Sequence, residues 1–265
     1  MVKLLTLQIL AHIISDFYLQ TGKSCQNKAQ RGFQSPHLYV HVAITFICSW
    51  ILSLLYPYTF DFWWASMVIA VLHGVIDGLK SRFQKVPWVF FIDQVLHLTV
   101  ICAVVAWFSS TVNYKIPFLN DSVVTPLDMI PTSTLLWITA FAFCLRPANL
   151  FIGEILNNAQ IKCPKDQEPE SEQPLQEGME AGSPETTSEL PNAGHLIGNV
   201  ERVLTLIFMM FGHFEAIGFL LAAKSLLRFK DSATNKSEYV LVGTLLSFGL
   251  AIIAGAIVLS LLNRV

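Results

Sequence analysis

The stretch Val68-Ile69-Ala70-Val71-Leu72-His73-Gly74-Val75-Ile76-Asp77-Gly78-Leu79-Lys80 decides how this chain folds. It is almost wholly apolar, yet it carries a histidine and an aspartate four residues apart. Four residues is close to one helical turn, so His73 and Asp77 share one face. An ionised carboxylate near the middle of a bilayer costs about 2.5–3.5 kcal/mol on insertion scales, so such a residue faces a partner or a wet cavity. Two neighbouring apolar segments repeat the pattern. His12 and Asp16 stand in Leu4–Gln20, and Asp93 and His97 stand, in reversed order, in Trp88–Phe108.

The whole chain agrees with that reading. It has 265 residues, 53% hydrophobic and 14% charged, with a mean hydropathy of +0.53. This is too apolar for an ordinary soluble domain and predicts an all-α, polytopic transmembrane helical bundle of about six to seven segments. Beyond Leu4–Gln20 and Trp88–Phe108, apolar runs cover Leu38–Leu55, Phe62–Ser81 (which contains the opening stretch), Ser133–Leu156, Val200–Arg228 and Tyr239–Leu262. Arg146-Pro147 should bend the Ser133–Leu156 run, and Val200–Arg228 is long enough to be a tilted or a broken span.

The net charge of -2 hides an asymmetry. Pro164–Pro191 holds eight acidic residues against Lys165 alone, so the remainder has 16 basic and 11 acidic residues. That stretch is rich in Glu, Pro, Ser and Gly and is expected to be disordered. Four regions follow: a His/Asp-bearing four-helix membrane domain (1–110), a loop and fifth segment (111–157), an acidic loop (158–198), and a C-terminal helical membrane pair (199–265). Five scattered cysteines without a CxxC pair read as reduced packing residues. Leu4–Phe17 is interrupted by His12 and Asp16 and reads as retained in the mature protein.

Lys and Arg in short loops set the orientation. Lys23, Lys28 and Arg31 follow the first segment; Lys80, Arg82 and Lys85 follow the third. Both loops are expected in the cytoplasm, with the N-terminus outside. Asp16, Asp77 and Asp93 then fall near the cytoplasmic end. His12, His73 and His97 fall one turn deeper, about 6 Å at 1.5 Å per residue. The reversed order in Trp88–Phe108 is what an antiparallel helix needs to match depth. His41 begins the second segment on the same side, with His37 one turn before it.

Neutral imidazole and carboxylate bind Zn, Mn or Fe, and an i,i+4 pair lets one helix supply two ligands. His12, Asp16, His41, His73, Asp77, Asp93 and His97 are the candidate ligands of a divalent metal. They suit a two-metal centre, or one centre whose outer carboxylates orient the histidines. Asp16 and Asp93 double as candidate general bases. Lys80, one turn from Asp77, is a candidate phosphate contact. Gln20 and Gln94 are candidate hydrogen-bonding partners. His213, alone in its segment, reads as a packing residue. Glu201 and Arg202 read as a pair near a helix start, and Lys224 as reaching for lipid headgroups. Gly243, Ser247, Ala251 and Gly255 line one helix face at a spacing of four, suited to helix packing or to a homodimer seam.

Three functions are compatible with these residues. One is a metal-dependent hydrolase or transferase on a lipid-linked or phosphorylated, anionic substrate at the cytoplasmic leaflet. Another is a transporter using the same residues as a cation or proton path. The third is a structural or partner-binding membrane protein. Nothing in the chain suggests nucleic-acid binding.

At these residues the sequence resembles an uncharacterised family of bacterial integral membrane proteins, a domain of unknown function. The motifs are His12-x3-Asp16-Phe17-x-Leu19-Gln20, His73-x3-Asp77-x2-Lys80 and Asp93-Gln94-x2-His97. Lys224-Ser225, Arg228-Phe229 and Gly243-Thr244-Leu245-x-Ser247 extend the resemblance over nearly the whole chain outside the acidic insert. It implies a multi-pass protein of the bacterial cytoplasmic membrane and no particular activity. The spacing is also similar to that of alkaline ceramidase-like membrane hydrolases, whose late HxxxH this chain lacks; its own, His37 and His41, is early.

Overall fold

The computed structural model describes residues 1–56, 60–83, 86–115, 130–159, 193–228 and 234–263. The described residues form helices and turns. They comprise α1 (Val2–Ile13), α2 (Gly22–Arg31), α3 (Pro36–Ser53), α4 (Trp63–Lys80) and α5 (Val89–Lys115), then α6 (Thr132–Leu145), α7 (Pro147–Asn158), α8 (Ala193–Met210), α9 (Phe214–Arg228) and α10 (Thr234–Leu262). Most of the acidic insert, and Lys85, lie outside the described residues.

Among the described residues, three helices are long and apolar enough to cross a membrane: Pro36–Ser53, Val89–Thr111 and Leu241–Leu262. Two bent pairs raise the number to five, Val2–Tyr18 with Gly22–Gln34 at 90° and Thr132–Leu145 with Pro147–Asn158 at 44°. Against the expected six to seven segments, the described residues hold three to five candidate spans. The shortfall has local causes. Helix α4 is long enough, but His73, Asp77 and Lys80 load it with polar groups. The run Val200–Arg228 breaks at Phe211–His213, where Gly212 takes φ +75°, and leaves His213 exposed rather than packed.

Two apolar cores organise the chain. In one, Leu4 of α1 packs with Ala65 and Ile69 of α4 and with Ile101, Val104, Val105 and Phe108 of α5. In the other, Leu136, Trp137 and Ala140 of α6 pack with Leu206 and Met209 of α8 and Phe248, Ala251 and Val258 of α10. Helix α1 joins the two, because it touches α3 and α5 on one side and α6 on the other. Pro147 removes a backbone donor and bends the α6–α7 pair as expected. Ser247 and Ala251 are buried, and a Cβ on Gly255 would lie 2.5 Å from Met209 Sδ. From Ser247 to Gly255 the small-residue face of α10 thus packs against the chain's own α8.

Two features shape the site. Ile14–Tyr18 is a π-turn, closed by Leu19 N–H donating to the Ile14 carbonyl at 3.0 Å. Such single wide turns re-aim side chains and recur at functional sites; this one contains Asp16. The segment expected as a basic loop is instead helix α2. Thr21 caps it, accepting from Ser24 N–H at 3.3 Å, and Gly32 ends it at φ +53°.

Candidate metal centre

Helices α1, α3, α4 and α5 converge the seven sequence-predicted ligands, and α2 folds over them. Close approach of α3 and α4 is possible because α4 presents glycine there. A Cβ on Gly74 would strike the Val42 side chain, and one on Gly78 would strike the Phe33 ring. His41 and His73 therefore meet, Nε2 to Nε2, at 3.0 Å.

The polar groups form two layers. Asp16, Asp77 and Asp93 line a cavity of about 330 Å³ together with Gln20, Lys28, Lys80 and Gln94. The imidazoles lie beneath it. His73 stacks on His97 with centroids 3.9 Å apart, and His12 stands 5.5 Å from His73 and 5.3 Å from His97. His12, His41, His73 and His97 are all buried, whereas His37 is exposed and takes no part.

The separations have a pattern. Asp16 Oδ1 lies 3.3 Å from His73 Nε2, 3.4 Å from His41 Nε2 and 3.6 Å from His12 Nδ1. Asp77 Oδ2 lies 3.6 Å from His41 Nε2, while its other oxygen lies 3.6 Å from His97 Nε2. Asp93 Oδ1 lies 3.3 Å from His97 Nε2. Bonds of roughly 2.0–2.2 Å to one tetrahedral ion set its ligands roughly 3.3–3.6 Å apart. Three sets have ligand atoms mutually close enough for one ion: His12, Asp16 and His73; His41, His73 and Asp77; and Asp77, Asp93 and His97.

Hydrogen bonds around His12 sharpen this. Gln94 donates its amide N–H to Asp93 Oδ2 at 3.2 Å and turns its amide oxygen to His12 Nε2, also at 3.2 Å. The proton of His12 then belongs on Nε2, and Nδ1 carries a lone pair. That Nδ1 is buried without a hydrogen-bond partner and faces the Asp16 carboxylate. Asp93 Oδ1 and both nitrogens of His97 are also buried without a well-formed hydrogen bond. Electron-pair donors facing one another in a dry site call for a cation between them, a proton or a metal.

The basic residues divide. Lys28 is buried and donates to Asp77 Oδ2 at 2.5 Å; Lys80 donates to Asp93 Oδ2 at 2.7 Å. With its oxygen turned to the ammonium, the Gln20 amide accepts from Lys28. Lys23, Arg31 and Arg82 point away and are exposed. Reading the sequence did not single out Lys28 among the loop cations. Its one available signal was the amphipathic pattern of Gly22–Arg31, which puts Lys28 on the less polar face with Cys25.

Fold and site together define a helical membrane protein with a buried His/Asp cluster. Residues 4–124 match the family described as Protein of unknown function (DUF3307). The match spans α1–α5 and all seven candidate ligands, and is narrower than the whole-chain resemblance expected from the C-terminal motifs. No curated protein and no solved structure matches the chain.

Proposed function

We propose that α1–α5 form a metal-dependent hydrolase or transferase site for a phosphorylated or lipid-linked substrate, open to the cytoplasmic leaflet of a bacterial inner membrane. The observation that carries the reading is the set of facing donor atoms: His12 Nδ1 against Asp16, and the two oxygens of Asp77 turned to different imidazoles. A divalent ion would supply Lewis acidity and a water acidified toward neutrality. His41, His73 and Asp77 would hold one ion, with His12 and Asp16 joined to them through His73, and Asp77, Asp93 and His97 would hold another.

Charge supports an anionic substrate. Three carboxylates against Lys28 and Lys80 leave one negative charge with neutral imidazoles. One divalent ion makes the cluster net positive, and two make it strongly so. The ammonium groups of Lys28 and Lys80 stand at the cavity wall and suit phosphate oxygens. Asp16 and Asp93 border the same cavity, where either would accept a proton from the attacking water.

The test is metal content together with turnover. Protein purified in detergent without chelators is expected to hold Zn, Mn or Fe stoichiometrically and to release phosphate from a lipid-linked phosphate. Asp77→Asn and His73→Ala should lose both. Absence of bound metal, with no gain on adding it, would sink the reading.

A buried polar column favours a second reading, a cation or proton path. Below the imidazoles, Ser49 Oγ donates to Gln8 Oε1 at 2.6 Å and lies 2.9 Å from Ser66 Oγ. Ion flux into proteoliposomes, abolished by Asp93→Asn and without any turnover, would select that reading over the first.

A further inference from the structure

A second cavity, of about 390 Å³, lies in the C-terminal half, lined by Asn149, His195, Gly198, Glu201, Arg202, Lys224 and Ser247 among others. Helix α7 separates it from the His/Asp cavity: Leu150 lines one, Asn149 and Gly153 the other. Arg202 was expected near a helix start. It lies in the middle of α8, is 1% exposed, and is the largest fully buried side chain among the described residues.

Its partners are all neutral. Nε donates to the Cys144 carbonyl at 2.7 Å and Nη1 to Ser247 Oγ at 2.7 Å. Nη2 donates to Asn149 Oδ1 at 2.5 Å and Asn199 Oδ1 at 2.6 Å. The adjacent Glu201 is taken by Lys224, at 2.6 Å, rather than by Arg202. Lys224 therefore does not reach for headgroups. Among the described residues, no carboxylate pairs with Arg202. Hydrogen bonds to a carbonyl, two amides and a hydroxyl hold the guanidinium in place; Glu201 is the one described carboxylate that attracts it and is shared with Lys224, so one positive charge is left over, and buried excess charge is costly.

We propose that this cavity binds an organic oxyanion, a phosphate or carboxylate group, held by Arg202 and Lys224. Four of the five N–H donors of Arg202 are already used, so it offers the remaining Nη1 N–H and its charge, on a guanidinium fixed by its neighbours, and little order is lost on binding. Lys224 adds a second cation at the wall, and with Glu201 the site keeps one net positive charge. Gly153 and Gly243 leave the walls open, since a Cβ on either would meet nothing within 4 Å. The volume exceeds that of a bare ion and leaves room for the organic part of the ligand. The proposal does not depend on the metal reading of the other cavity.

Calorimetric titration of the full-length protein in detergent tests it, with three probes: inorganic phosphate, acetate and a short-chain phosphatidic acid. At least one probe should bind saturably. Phosphatidic acid far tighter than phosphate marks a lipid headgroup; the reverse marks a soluble phosphate; acetate as tight as phosphate marks a carboxylate. The double variant Glu201→Gln/Lys224→Gln removes the ammonium while keeping the site's net charge, and should weaken binding about tenfold or more. Saturable binding of none of the probes to the wild-type protein, or unchanged affinity in the double variant, overturns the proposal. If the double variant does not fold, Gly153→Leu decides: it fills the cavity without touching a charge, and unchanged affinity there overturns the proposal equally.

Discussion

Asp77 turns one carboxylate oxygen to Lys28 and His41 and the other to His97. Removing its charge should therefore do two separable things. Asp77→Asn leaves the Lys28 ammonium buried without a counter-ion, a loss of about 3–5 kcal/mol by analogy with broken buried pairs. It should also abolish metal binding at both positions. Pairing it with Lys28→Met should restore much of the thermal stability but none of the metal, read by melting temperature and by elemental analysis of the same samples. Gln94 acts through His12 and makes a gentler test. Gln94→Leu leaves every ligand in place but frees the imidazole tautomer, so metal affinity should fall about 10–100-fold while the fold persists. Competition against a chelating dye measures that fall; an unchanged affinity would remove His12 from the ligand set. The His/Asp pairs were readable in sequence because an i,i+4 relation is local. The Lys28–Asp77 and His12–Gln94 contacts were not, because they join residues 49 and 82 positions apart.

Helix α4 sets the geometry at the next scale. Its buried face alternates function with absence: His73, Gly74, Asp77 and Gly78 are all buried. The glycines let α3 approach, and that approach joins His41 to His73. Gly74→Leu should push α3 outward against Val42, destabilise the protein by about 1–3 kcal/mol and lower metal occupancy without altering any ligand. Helical content by circular dichroism should persist; occupancy that stayed full would show that the cluster tolerates the displacement. Hydropathy located α3, α4 and α5 because each is apolar over most of its length. It missed α2 because Lys23, Gln26, Asn27, Gln30 and Arg31 leave that helix strongly polar. What makes it a helix is a cap at Thr21, and what holds it over the site is the buried Lys28–Asp77 pair. The π-turn at Ile14–Tyr18 has no compositional signature; it packs against α3.

Across the whole molecule, the candidate ligands belong to α1 and the π-turn after it, α3, α4 and α5, and Arg202 with its partners belongs to α6, α7, α8 and α10. The two apolar cores divide the chain in the same way, with α1 against α6 as the seam. A bound metal should therefore stabilise one half directly. At a thousandfold excess over its dissociation constant, a ligand specific to the folded state adds about 4 kcal/mol. Chelation should remove that increment locally. Hydrogen exchange ought to quicken in residues 8–18, 41–49, 66–80 and 93–101, while residues 136–141 and 202–209 keep their protection. The Tyr18–Ala142 and Arg146–Phe17 bonds cross the seam, so a small response near residues 142–146 is expected. Equal loss of protection in both halves would mean that the seam couples them into a single cooperative unit. In that case the metal stabilises the whole bundle, and the cavity around Arg202 should loosen with it.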